Sequence, residues 1–332
     1  MLLGLIVGLV FTNCKKDDPD PTVNEFEVLA KYMEDDSLDL PVINGGFAKA
    51  GSALNVNTTD FSIPDYYVID IRSAADFDLG HIKNAVNSTL ANILTTAEGA
   101  GGKPILVVCY SGQTAGRGVA ALRMKGYQAF SLKWGMAAWH SFFASKWDSK
   151  ATDYASANWL TTGTPTVNVT YTTFPELETG ETEGEKILDA QIAKMLANSS
   201  WMVAKDVVLA APETYFINNY WAQGTWDLLG HVKGAYRIYE DLNLDGLKYL
   251  DPDATILTYC FTGQTSSITN AWLEVLGYNT VSLANGTNSI IHSTMLASTA
   301  DVMKVTWGGT GAASNLNFGY YDKDGVYYEP IP

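Results

Sequence analysis

The chain has 332 residues, 47% of them hydrophobic and 17% charged, with a formal net charge of −15 at pH 7. That length fills two ordinary globular cores more readily than one. The acidic balance, with no local run of Lys and Arg, excludes a binder of nucleic-acid backbones, while a small anion can still be held by the local potential of a pocket.

The first element in chain order is a targeting segment. Met1–Phe11 is apolar, Cys14 follows, and the polar stretch CKKDDPDP comes next. The apolar run is too short to span a bilayer and suits the apolar region of a signal peptide. A Cys placed after such a run resembles the lipobox of bacterial lipoproteins, and CKKDDPDP is similar to the tether of Bacteroidetes lipoproteins. Asn13 and the lack of Lys or Arg ahead of the run depart from that pattern. The resemblance implies that residues 1–20 are signal peptide and tether and that Cys14 is lipidated. It also implies export to the outer membrane, on its periplasmic or cell-surface side, with a lipid anchor as the only membrane attachment.

Past the tether, Tyr67–Ile71 and Ile105–Val108 are short runs of β-formers and read as buried parallel strands. A loop headed by Cys109 follows, then a helical pattern closed by Gly126, then a strand in QAFSLK. The order strand, loop, helix, strand is a βαβ unit. Residues 21–150 form the first domain on this reading. Residues 151–183, rich in Thr, Gly, Pro and Glu, read as a linker with a strand in VNVTYT. A helix starts near Gly184 and opens a second domain over 184–310. The tail 311–332 alternates aromatics around Asp324-Gly325, a hairpin signal.

The second domain repeats the first. CYSGQTAGRG begins at Cys109 and CFTGQTSSIT at Cys260; Gly80-His81 falls on Gly230-His231, Gly126-Tyr127 on Gly277-Tyr278, and Gly135 on Gly286. After Cys260, residues Ile268, Ala271, Trp272, Val275 and Leu276 share one helix face. A Cys at the end of a parallel strand, ahead of a tight loop and a helix N-terminus, faces free backbone N–H groups. These and the helix dipole stabilise an anion. Gly112 and Gly263 let the loops curl. The expectation is an anion cradle around a reactive sulfur, present twice.

These stretches resemble the rhodanese family. VIDIRSAADFDLGHIKNAVN is similar to its D-x-R and GHI-x-G-A region, and ILVVCYSGQTAGRGVAALRMKGYQAFSLKWGMAAW to its active-site strand, loop, helix and closing L-x-G-G…W. The resemblance implies two tandem three-layer α/β/α domains, each with a central, mostly parallel sheet. It implies a sulfurtransferase: a Cys takes sulfane sulfur from thiosulfate, a persulfide or a polysulfide, carries it as a persulfide, and passes it to a thiol or cyanide, with no cofactor. Carried over residue by residue, Cys109 and Cys260 are the catalytic nucleophiles. Tyr110, Ser111, Gly112, Gln113 and Thr114 line the first cradle, with Arg117 near its mouth; Phe261, Thr262, Gly263, Gln264 and Thr265 line the second. Asp70, Arg72, His81 and His231 brace the loops. In the second copy the D-x-R has become Asn218 and Tyr220. Both loops lack charge, and Ala115 and Ser266 stand where a phosphatase loop needs Arg. The rival of another class is a catalytically silent rhodanese-like binding module at the cell envelope.

DLNLDG, with Asp241, Asn243 and Asp245, opens like a calcium loop, but Pro252 stands where the bidentate Glu belongs. An Asx-rich turn with no metal is the expectation, with calcium as its rival.

Overall fold

The computed structural model describes residues 23–309 and 317–330. The signal segment, Cys14 and the start of the C-terminal tail lie outside the described residues. Among the described residues, no helix is long and apolar enough to cross a membrane.

The chain begins with helix α1 (Glu25–Asp35), whose N-terminal donor Glu27 N is taken by the Asn24 side chain and whose Phe26, Leu29 and Met33 are buried. After α2 (Leu40–Asn44) and β1 (Ala48–Lys49) come β2 (Tyr67–Asp70), α3 (Ala74–Leu79), β3 (Val86–Asn87) and α4 (Ile93–Ala97). Strand β4 (Ile105–Val108) leads into α5 (Gln113–Met124), then β5 (Ala129–Leu132), α6 (Met136–Trp139) and α7 (Ser145–Asp148). The sheet order is β1-β5-β4-β2-β3, and every pairing is parallel. Strand β4 is buried on both faces. Ile105 and Val107 enter a core with α4 and α5, and Leu106 and Val108 enter one with Met136, Trp139 and Phe143. That is a helix–sheet–helix sandwich, as the unbroken apolar run requires.

The second half repeats this order. Strand β6 (Trp159–Leu160) precedes α8 (Gly184–Ala197), β7 (Met202–Val203), α9 (Lys205–Ala210), β8 (Phe216–Asn219) and α10 (Gln223–Leu229). Then come β9 (His231–Val232), β10 (Ile256–Tyr259), α11 (Gln264–Val275), β11 (Thr280–Leu283) and α12 (His292–Ala297). The order β7-β11-β10-β8 is again all parallel. It matches β1-β5-β4-β2 strand for strand.

The segment read as a linker runs along the second half. VNVTYT forms no strand: Val167 and Val169 are exposed, and the backbone is tied only at single points, Thr166 to Tyr236 and Tyr171 N to Lys248 O. The strand of this segment is β6, which pairs antiparallel with β9. At the C-terminus β12 (Tyr320–Tyr321) and β13 (Tyr327–Tyr328) form an antiparallel hairpin. It docks on the first half: Tyr321 bridges His81, Trp139 Nε1 donates to Gly319 O, and Tyr320 enters that half's core.

The halves share one apolar core. Residues of α1, α5, α8 and α11 belong to a single cluster. Helices α5 and α11 cross at Gly116 and Ser267, where a Cβ on Gly116 would sit 2.3 Å from Ser267 Oγ.

Candidate active site

Each Cys sits one residue past a central strand, β4 or β10, and its loop ends in a glycine at positive φ, Gly112 (+80°) or Gly263 (+74°). These glycines are the N-caps of α5 and α11 and carry no side chain to cap them. A helix start leaves several N–H groups unpaired, and an N-cap side chain normally takes the one at the third position. In the first half Cys109 Sγ takes that role. It accepts from Gly112 N at 3.1 Å and from Ala115 N, the third residue of α5, at 3.4 Å. The sulfur thus lies on the positive end of a 12-residue helix.

The next two loop residues are tied to their surroundings. Tyr110 Oη donates to Asp76 at 2.5 Å, Lys146 Nζ stands 4.4 Å from the Tyr110 ring centre, and the Arg72 guanidinium 5.0 Å. Trp147 Nε1 donates to Ser111 O. Cys109 is 5% exposed. Burial pushes its thiol above the ordinary Cys value, while N–H groups of Ala115, Ser111 and Gly112 pull it back. A thiolate at mildly acidic pH is therefore not what this resting loop holds. Alkylation of Cys109 by iodoacetamide is expected to be slower at pH 6 than that of a free thiol, and to climb with pH past the usual Cys range of about 8.5. The sign carries to folding. The contribution is present below the unfolded thiol's value and lost as pH rises through the higher folded one. A pH series of alkylation read by peptide mass tests this; fast labelling at pH 6 would contradict it.

Asp70 and Arg72 form a fully buried ion pair, Nη2 to Oδ2 at 2.6 Å. Arg72 Nη2 also donates to Gly80 O, which fixes the turn after α3. His81 follows that turn, stacked on Phe77 with ring centres 3.9 Å apart and donating from Nδ1 to Phe77 O. His231 stacks on Trp226 at the equivalent turn, and burial lowers its pKa.

Three predicted cradle residues have other employment. Arg117 is not at the mouth. It is 0% exposed and lies between the halves, donating through Nη2 to Met195 O and pairing with Glu274 at 2.8 Å. Gln113 Oε1 accepts from Asn285 N at 2.7 Å, and Gln264 Oε1 accepts from Trp134 N at 3.0 Å. Each glutamine oxygen thus holds the backbone behind the other loop, while Gln113 Nε2 still donates to Ser111 Oγ in its own loop. The donor that sequence reasoning missed is Ala115 N. Its signal was present in the glycine N-cap, which leaves the third helical N–H open.

The second loop is built differently. Cys260 Sγ is 3.8 Å from Ser266 Oγ, the hydroxyl that replaces Ala115. Ser266 Oγ also donates to Gly263 O and bonds Ser282. The sheet register corrects the alignment of the D-x-R: Asn219 faces the residue before Cys260 as Asp70 faces the one before Cys109, so Asn219 and Trp221 hold the places of Asp70 and Arg72. Asn219 Nδ2 donates to Tyr259 Oη, and the neighbouring Asn218 exchanges bonds with Ile238 N and O. Thr262 Oγ1 accepts from Gln264 N. Phe261 and Thr265 line a cavity of about 480 Å³ that reaches Cys260. Both thiols are free.

In the DLNLDG stretch Gly246 N donates both to Asn243 O and, at 2.8 Å, to Asn243 Oδ1, so the asparagine side chain closes the turn. Among the described residues no group of three or more His, Cys, Asp and Glu is arranged to hold a metal ion.

Residues 55–142 match the family model of the rhodanese-like domain. Over those residues the first half is similar to a rhodanese-like domain. The match takes in Asp70, Arg72, Cys109 and the whole loop. No curated protein matches the chain. Among solved structures, a rhodanese-related protein from Thermoplasma volcanium is 21% identical, covering 27% of this chain and 85% of its own, at a TM-score of 0.24. A thiosulfate sulfurtransferase from Pseudomonas aeruginosa is 12% identical over 79% of this chain and 46% of its own, TM-score 0.28. SseA from Escherichia coli, described as a 3-mercaptopyruvate sulfotransferase, is 17% identical over 71% and 97%, TM-score 0.26.

Proposed function

We propose that the chain is a sulfurtransferase, with Cys109 as its persulfide carrier and the second half a diverged rhodanese-like copy carrying Cys260. The observation that supports this most is the placing of Cys109 Sγ on the open N–H groups of Gly112 and Ala115 at the start of α5. Those donors stabilise a thiolate as it forms and, one atom further out, the terminal sulfur of a persulfide anion. With thiosulfate, the Cys109 thiolate attacks the outer sulfur, the S–S bond of the donor breaks, and sulfite leaves with the bonding pair. A persulfide or polysulfide donor releases a thiolate or a shorter polysulfide in the same way. An acceptor thiolate or cyanide then attacks the carried sulfur and regenerates Cys109. The rest of the proposal follows the sequence: domains at 21–150 and 184–310, and an outer-membrane lipoprotein anchored through Cys14.

The test is peptide mass mapping of the full chain after incubation with thiosulfate and, separately, polysulfide. The Cys109 peptide is expected to gain one sulfur atom, and Cys109→Ser to abolish the gain while the fold stays intact. A folded, reduced protein that gains none from either donor would sink the proposal and favour the silent binding module.

A further inference from the structure

The cavity over Cys260 has a chemistry of its own. It has a volume of about 480 Å³, within the range of small-molecule sites. Tyr220, Trp221, Tyr239 and Phe261 form much of its wall, with Cys260 at the head of the second loop and Thr265 in the first turn of α11. Pro41 and Asn44 of the first half complete it, and Asn44 Nδ2 donates to Tyr220 Oη at 3.0 Å. The aromatic wall is held by its own packing: Trp221 lies 5.0 Å from Phe261 and Tyr220 5.0 Å from Tyr239, centre to centre.

No Lys, Arg or His is among the described residues that line it, and its one carboxylate is Glu240. Arg237 pairs with Glu240 but is not a lining residue. Burial pushes the Tyr220 phenol up to about 12, so it stays neutral. Trp221 Nε1 is buried without a partner, an unsatisfied donor in the wall. The contrast with the first loop is at matching positions. Where Arg72 stands 5.0 Å from the Tyr110 ring, the second half has Trp221 at 5.0 Å from the Phe261 ring. An anion entering the cavity loses its hydration and gains no cation, and it approaches a carboxylate.

We propose that the Cys260 cavity takes an organic hydropersulfide in its protonated R–S–S–H form, with an apolar aryl or alkyl body, and discriminates against sulfur donors whose body carries a negative charge. This rests on the sulfur-transfer reading above and adds a substrate class to it. The Cys260 thiolate attacks the outer sulfur of R–S–S–H, forming Cys260–S–S–H as the donor's S–S bond breaks. The leaving thiolate RS⁻ takes the proton that Cys260 gave up, and no oxidant or reductant is consumed. The aromatic wall holds R.

The experiment compares benzyl hydropersulfide with its ring-sulfonated analogue, which differ in charge and not in the reacting sulfur. Sulfur gain is followed on the Cys109 and Cys260 peptides of the full chain, with glutathione as a reference for intrinsic reactivity. Cys260 is expected to load from benzyl hydropersulfide about tenfold faster than from the sulfonate, relative to glutathione. Glu240→Arg is expected to close most of that gap; the Glu240 side chain is 54% exposed, so the fold tolerates the change. Equal loading from both donors, a preference for the sulfonate, or a ratio unmoved by Glu240→Arg would overturn the inference. If Cys109 loads and Cys260 takes sulfur from neither donor, the inference falls and sulfur transfer at Cys109 stands. If neither Cys loads, both fall.

Discussion

Glu274→Ala is expected to destabilise the protein by about 3–5 kcal/mol. Glu274 is the carboxylate partner of Arg117, and the two side chains are 11% and 0% exposed. Burial already pushes the Arg117 guanidinium below its usual value, and Glu274 opposes that shift. Without Glu274, Arg117 keeps the bond to Met195 O and the Trp201 ring 5.1 Å away, neither of which neutralises a buried charge. Replacing both partners together, Arg117→Met with Glu274→Leu, is expected to cost much less, because the charge leaves with its partner. Urea unfolding followed by tryptophan fluorescence measures both. A Glu274→Ala loss below about 1 kcal/mol would place the pair among weak surface bridges and contradict the burial argument.

Gly135→Ala is expected to cost about 3 kcal/mol or more and to disable the first loop selectively. Gly135 has φ +62° and ψ −155°, a region closed to side-chain-bearing residues. An added Cβ would lie 2.2 Å from Cys109 O, 2.6 Å from Tyr110 C and 2.7 Å from Ser111 N. All three contacts are backbone, so the loop itself has to move and the sulfur moves off its donors. Gly286→Ala is the mirror experiment, with Cys260 O at 2.3 Å. The expected pattern is crossed: Gly135→Ala lowers the melting temperature and sulfur loading at Cys109 while sparing Cys260, and Gly286→Ala does the reverse. Unchanged loading in a Gly135→Ala protein would mean that the glycine does not set the loop.

The strands and the two Cys loops were legible because their signals are local. An apolar run such as Ile105–Val108 has one use, a strand covered on both faces, and a glycine before a helix has few. The fate of the longer polar side chains was not legible. Arg117, Gln113 and Gln264 each bond a residue of the other half, and nothing in their own neighbourhood says so. VNVTYT has strand composition but no sheet edge to join, so propensity lost to topology. The cavity over Cys260 draws Pro41 and Asn44 from one half and its aromatics from the other, a meeting that no single stretch encodes.

The paired glutamines have one more consequence. Gln113 and Gln264 occupy the same place in the repeat, as do their targets Trp134 and Asn285, and both targets have left-handed backbone at φ +67° and +61°. Matching groups exchanging matching bonds is how an isologous dimer closes on itself. The chain has the geometry of such a dimer with its two subunits joined in one polypeptide. A homodimer must accept every substitution twice, once in each subunit. A joined pair need not, so one copy can keep Asp70 and Arg72 while the other replaces them with Asn219 and Trp221.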